Sequence, residues 1–149
     1  MAQDSLITLY SQKLIGLAAN MPDLRPLEHA DADVKRRAPL CGSHVTVSLK
    51  VNNGRISEFY QDVKACALGQ ASASVFGANA LGLSVEEVKG LRDQMVDMLK
   101  HNGEAPKGAF DELKYLEAAK DFTNRHESIL LVFNATLDAM EQAQKKASA

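Results

Sequence analysis

Two cysteines, Cys41 and Cys66, are the residues of this chain best suited to chemistry. Thiolates are soft ligands for iron, zinc and iron–sulfur clusters, and they are nucleophiles in sulfur transfer. Cys41 stands in a Pro-Leu-Cys-Gly-Ser turn, bracketed by Pro39 and Gly42. Cys66 stands where a strand pattern gives way to a helix pattern. A cysteine at a helix start meets free backbone N–H groups and the positive end of the helix dipole, both of which favour the thiolate. One hairpin separates the two in the chain, so their spacing allows both to meet at one end of a small sheet. The small neighbours Gly42, Ala65, Ala67 and Gly69 leave room there for a metal ion or cluster. Two buried, inert thiols fit the same spacing, because free cysteine is often simply a small core residue.

The elements that must position these thiols can be read from periodicity. Leu6, Ile7, Leu9, Tyr10, Leu14, Ile15, Leu17 and Ala18 recur at helical spacing and predict an amphipathic helix over 5–19, which Pro22 and Pro26 end. The polar stretch 31–38 predicts a short edge strand. Val45, Val47, Leu49 and Val51 alternate with polar residues, as a half-buried strand requires. Asn52-Asn53-Gly54 is a hairpin turn, since Asn-Gly tolerates the positive φ angles needed there, and 56–63 is the return strand. The small-residue run after Cys66 predicts a helix over about 67–81 packed closely on the sheet. Ser84 and Glu87 have capping-box spacing and open a helix over about 84–101, which Asn102-Gly103 stops. A loop over 104–110, a short helix over 113–119 and a last helix over about 124–145 complete the chain. The last helix carries Ile129, Leu130, Phe133, Leu137 and Met140 on one stripe. The fold class is α+β: one domain over 1–149, with a sheet of about three antiparallel strands over 31–64 packed against several helices.

Composition removes other functions. Hydrophobic residues at 46% and charged residues at 24% exclude a wholly disordered chain. A net charge of −2, a lack of Trp and only one short basic run, Lys35-Arg36-Arg37, argue against nucleic-acid binding. That run is a solvated edge or a docking patch for an acidic partner. Gln12 and Lys13 interrupt the first apolar stretch, so it is neither a signal peptide nor a membrane span. The expected location is cytoplasmic and reducing, where two cysteines are thiols or metal ligands rather than a disulfide. No Gly-x-Ser-x-Gly, P-loop or dinucleotide fingerprint is present, and Ser72 and Ser74 read as packing residues rather than nucleophiles.

Three runs carry a family resemblance. Arg37-Ala-Pro-Leu-Cys41-Gly-Ser-His-Val-Thr-Val resembles the first-cysteine motif of the NifU/IscU iron–sulfur cluster assembly scaffolds, Asn-Pro-x-Cys-Gly-Asp before an alternating strand. Ala65-Cys66-Ala-Leu-Gly-Gln-Ala-Ser-Ala-Ser resembles their second motif, Gly-Cys-x-x-x-x-Ala-Ser-x-Ser, and is the most specific of the three. Leu81-Gly-Leu-Ser-Val-Glu-Glu-Val is similar to the stretch that follows it. The resemblance spans about residues 5–142. It implies a SufE/NifU-like fold and a scaffold or carrier, not an enzyme, on which a [2Fe–2S] cluster, iron or zinc is held by cysteines. It also implies a cysteine desulfurase supplying persulfide sulfur, and acceptor proteins taking the finished cluster.

The chain departs from that pattern at two positions. The family's third cysteine opens the last helix, and Glu127 occupies its place in Asn124-Arg-His-Glu-Ser-Ile-Leu; the Leu-Pro-Pro-Val-Lys lead-in is missing too. Ser43 replaces the aspartate of the first motif. Glutamate cannot accept persulfide, and carboxylate is a harder ligand that holds a cluster less firmly. Cys41, Cys66, His126 and Glu127, with Ser43 beside them, make a candidate site for zinc or iron. Adjacent helical residues point about 100° apart, so His126 and Glu127 converge only if they straddle the helix start. Otherwise Glu127 complements the helix dipole and His126 is a surface or capping residue. His44 is a second-sphere donor or an exposed strand residue, and His29 and His101 are expected to be solvated. Two further readings stay open: a non-ligating paralogue that binds a desulfurase, and a sulfurtransferase carrying persulfide on Cys66. A homodimer would also bring four thiolates together.

Overall fold

The computed structural model describes residues 11–40 and 42–148. Helix α1, Gln12–Ala19, begins on Ser11, whose hydroxyl accepts from the Leu14 N–H at 3.4 Å. The part of the predicted first helix before Ser11 lies outside the described residues. Strands β1 (Ala32–Arg37), β2 (His44–Asn52) and β3 (Arg55–Lys64) form one antiparallel sheet in the order β1-β2-β3. Asn53 at φ 54° and Gly54 at φ 78° make the β2–β3 turn. Both angles are positive, as a two-residue hairpin turn that matches strand twist requires. One irregularity, between Lys50 and Val51, shifts the register near this turn.

Five further segments follow. Helix α2 is Ala67–Ala78, α3 is Val85–Lys100 and α4 is His126–Ser148. Between α3 and α4 lie a 3₁₀ segment, Gly108–Ala119, and a 3₁₀ turn, Thr123–Arg125. The architecture is the expected α+β one: a three-stranded antiparallel sheet with helices packed against it. Two boundaries differ from the sequence reading for identifiable reasons. Helix α2 stops at Ala78, short of 81, because the next residues pair with the sheet. Ile56 donates to the Leu83 carbonyl and accepts from the Gly82 N–H, so the 80–83 segment covers part of the β3 edge. The expected loop and short helix over 104–119 become a single 3₁₀ run from Gly108, in which Leu113, Leu116 and Ala119 are buried. Their spacing of three matches the three-residue turn of that helix.

The core lies between the inner face of the sheet and the helices. Val45, Val47 and Leu49 of β2, and Ile56 and Phe59 of β3, are buried on that face. Helix α4 packs over β1 and β2, while α2 fits between α1 and α4. Phe76 sits at the centre, with ring centroids 5.7 Å from Phe59, 5.3 Å from Phe133 and 6.2 Å from Phe110. The edge-on arrangement with Phe59 and Phe133 is the favoured one for aromatic quadrupoles. Among the described residues, no helix is long and apolar enough to cross a membrane.

Candidate metal-binding end of the sheet

Three chain segments converge where β1 ends, β2 begins and β3 ends. The register pairs Arg37 with His44 and His44 with Lys64, so Ser43 and Ala65 leave the sheet at the same end. The β1–β2 loop is closed by two backbone bonds, Ala38 N–H to Ser43 O at 2.8 Å and Gly42 N–H to Ala38 O at 3.0 Å. Gly42 adopts φ +72°, a conformation that costs an L side chain strain. Leu40 is 72% exposed at this end. Cys41, between Leu40 and Gly42, lies outside the described residues.

Cys66 is the N-cap residue of α2, with φ −66° and ψ 171°. Its side chain makes no capping hydrogen bond. The sulfur turns instead to the first turn of α4, where Sγ lies 3.4 Å from the Ser128 hydroxyl oxygen. Ser128 in turn donates to Ser43 Oγ at 3.1 Å. Both serines are buried, and Cys66 is a half-exposed free thiol. A polar chain of Ser43, Ser128 and Cys66 therefore joins the β1–β2 loop, the start of α4 and the start of α2.

Glycine at position 69 makes this approach possible. A Cβ there would stand 2.5 Å from Ser128 Oγ, 2.8 Å from Ala65 Cβ and 3.1 Å from the Ser128 carbonyl. One turn further along, buried Ser72 donates to the Ile129 carbonyl at 2.7 Å and ties α2 to α4 again. Ser74 donates to the Asn20 carbonyl at 3.0 Å and ties α2 to the end of α1. Both serines pack, as the sequence implied.

The remaining candidates take separate places. His126 is 2% exposed, not a surface residue. Its Nε2 lies 3.0 Å from the Ala119 carbonyl and 3.1 Å from that of Lys120, anchoring α4 to the end of the 3₁₀ segment. Glu127 is exposed in the first turn of α4, where a carboxylate complements the dipole. His44 is half-buried beside this end. Its pKa is held below the ordinary value by partial removal from water and then by the Lys35, Arg37 and Lys64 cations, with Asp62 opposing them. His29 and His101 are exposed. In the basic run, Arg36 pairs with Asp138 at 2.7 Å. Among the described residues, no group of three or more His, Cys, Asp or Glu is placed to hold a metal ion. A cavity of about 1220 Å³ opens at the opposite end of α2, lined in part by Gly77, Phe59, Leu83 and Phe110. Helix α2 separates it from Cys66 by about 18 Å at 1.5 Å per residue.

The sequence assigns Ser128 no role of its own within the 124–130 run. The available signal was a hydroxyl residue next to the apolar pair Ile129-Leu130, one position after Glu127.

An α+β domain with a cysteine at the sheet–helix junction defines the class, and the chain belongs to the family of the NifU-like N terminal domain, whose model matches residues 9–127. The crystal structure of a nitrogen-fixing NifU-like protein (N-terminal) from Brucella abortus superposes with a TM-score of 0.90 at 42% identity, covering 95% of this chain and 99% of that one. Two curated relatives are iron–sulfur cluster assembly scaffold proteins IscU. The one from Streptococcus pyogenes serotype M1 is 24% identical over 80% of this chain and 77% of its own length. The one from Thermotoga maritima is 20% identical over 92% of this chain and 96% of its own.

Proposed function

We propose that this protein is an iron–sulfur cluster assembly scaffold or carrier that takes iron or a labile [2Fe–2S] cluster, with zinc as a competitor, through Cys66 and Cys41. The observation that carries the reading is the placement of Cys66: a half-exposed thiol at the start of α2, at the sheet end where the Cys41-bearing loop closes. Its support is family membership and two IscU relatives. Thiolates are the ligands that clusters require, and binding releases their protons. Glu127 is the further ligand that fits best, since it is exposed in the first turn of α4. His126 serves the fold first, because its Nε2 is occupied by two carbonyls. With only two thiolates, the cluster would be held loosely, which suits a protein that hands it on. A cysteine desulfurase as sulfur donor and apo-proteins as acceptors are the partners this role needs.

Anaerobic reconstitution with ferrous iron and sulfide tests the proposal. The wild-type protein should retain both and show sulfur-to-iron charge-transfer absorption, and Cys66→Ser and Cys41→Ser should each lose most of it. A wild-type protein that emerges from a desalting column without iron or sulfide would end this reading.

A further inference from the structure

We propose that Ser128 is a positioning residue for the thiolate end: its hydroxyl holds the Cys66 sulfur against the Ser43 turn and donates to that sulfur once it carries a metal. The proposal rests on the carrier reading above. Its basis is the pair of contacts that Ser128 makes, 3.4 Å to Cys66 Sγ and 3.1 Å to Ser43 Oγ, from a side chain only 1% exposed. The slot is built for that hydroxyl. Any side chain at position 69 would fall on it, at 2.5 Å from Oγ. The sulfur makes no bond to the free N–H groups of α2, so Ser128 is its described polar partner.

The direction of the bonds adds a second step. A hydroxyl has one proton, and that of Ser128 goes to Ser43. With that proton on Ser43, a protonated Cys66 sulfur is the donor in its contact with Ser128. A metal-bound sulfur has no proton and only accepts, so the Ser128 O–H then turns to it by rotation about one bond. No backbone moves and no net charge is added. Hydrogen bonds to a ligating sulfur orient it and tune the metal, and their loss commonly weakens binding tenfold or more.

Two measurements test this. The first is the Raman S–H stretching band of metal-free protein in a Cys41→Ser background, where Cys66 is the sole thiol. The band should lie at the lowered frequency of a donating thiol, and Ser128→Ala should move it up. A wild-type band at the unbonded position would overturn the proposal whether or not the variant folds. The second is cobalt(II) release to a chelator, followed by the thiolate charge-transfer band. Ser128→Ala should release cobalt about tenfold faster than wild type, while Ser43→Ala, which leaves the Ser128 hydroxyl in place, should release it more slowly than Ser128→Ala. Equal rates for wild type and Ser128→Ala would overturn the serine's role alone. A wild-type protein that takes up no cobalt would overturn the carrier reading and this proposal with it.

Discussion

Gly69 faces Ser128 at a separation with no room for a methyl group: a Cβ would stand 2.5 Å from the Ser128 hydroxyl and 2.8 Å from Ala65 Cβ. The hydroxyl can rotate away, but Ala65 Cβ and the Ser128 carbonyl, at 3.1 Å, cannot. Alanine is favoured over glycine inside a helix by about 1 kcal/mol, whereas overpacking of this kind costs about 1–3 kcal/mol. Gly69→Ala should therefore lower the urea midpoint, with a net loss of about 1 kcal/mol. Gly90→Ala is the matched control. It lies in α3, exposed, with nothing within 4 Å of a new Cβ, and should gain about 1 kcal/mol. If both substitutions stabilise, the contact between α2 and α4 is looser than described.

The start of α3 predicts a pH dependence. Ser84 accepts from the Glu87 N–H at 3.2 Å, and Glu87 accepts from the Ser84 N–H at 3.2 Å and from Arg55 at 2.7 Å. The Ser84 N–H first, then the Arg55 guanidinium, hold the Glu87 pKa below its ordinary 4.5. A carboxylate with a depressed pKa in the folded state binds fewer protons there than when unfolded, so its contribution is complete above about 4.5 and disappears as pH falls through the lower folded value. Glu87→Gln should thus flatten the fall in stability below pH 4.5 relative to wild type, as read by urea unfolding across that range. Ser84→Ala, which removes the cap, should cost about 1 kcal/mol at neutral pH.

The three strands and the capping box were legible because their signals are local. Alternation in Val45, Val47 and Leu49, Asn53-Gly54 in the turn and Ser84 with Glu87 each fix an element within a few residues. Cys66 at a helix start was legible for the same reason. Of the 3₁₀ run over 108–119 only the helical part from 113 was legible, since its short period reads as irregular spacing against a 3.6-residue template. The end of α2 was misplaced because residues 80–83 obey a distant partner, Ile56. His126 and Ser128 show the limit most clearly. Each looks polar and exposable in sequence, yet each is buried against a segment far away in the chain or across a turn. Such partners are chosen by packing, and no periodicity encodes them.

His126 should matter more to folding than to metal binding. Its Nε2 is shared by the Ala119 and Lys120 carbonyls, which lie at the end of the 3₁₀ segment that leads into α4. His126→Ala would empty a buried site and leave those carbonyls without their donor, at a cost of about 3 kcal/mol. The variant should unfold at markedly lower urea concentration. Its cobalt or iron content per folded molecule should equal that of wild type at low temperature. Wild-type stability together with lost metal would assign His126 to the metal instead.

Glu127 offers the reverse experiment, a gain rather than a loss. It is exposed in the first turn of α4, next to the serine that bonds Cys66 Sγ. It also stands where NifU/IscU-type scaffolds are expected to carry their third cysteine. Thiolate is a softer ligand than carboxylate and holds iron–sulfur clusters more firmly. Glu127→Cys should therefore slow the transfer of a reconstituted cluster to an apo-acceptor, and raise the fraction of cluster surviving desalting. The folding cost should be small, about 0.5 kcal/mol, from losing a carboxylate near a helix N-terminus. A charge-conserving change, Glu127→Asp, should leave transfer fast. If the cysteine variant releases its cluster as quickly as wild type, position 127 does not reach the cluster, and the two thiolates must find their remaining ligands elsewhere, from a second copy of the chain or from the acceptor itself.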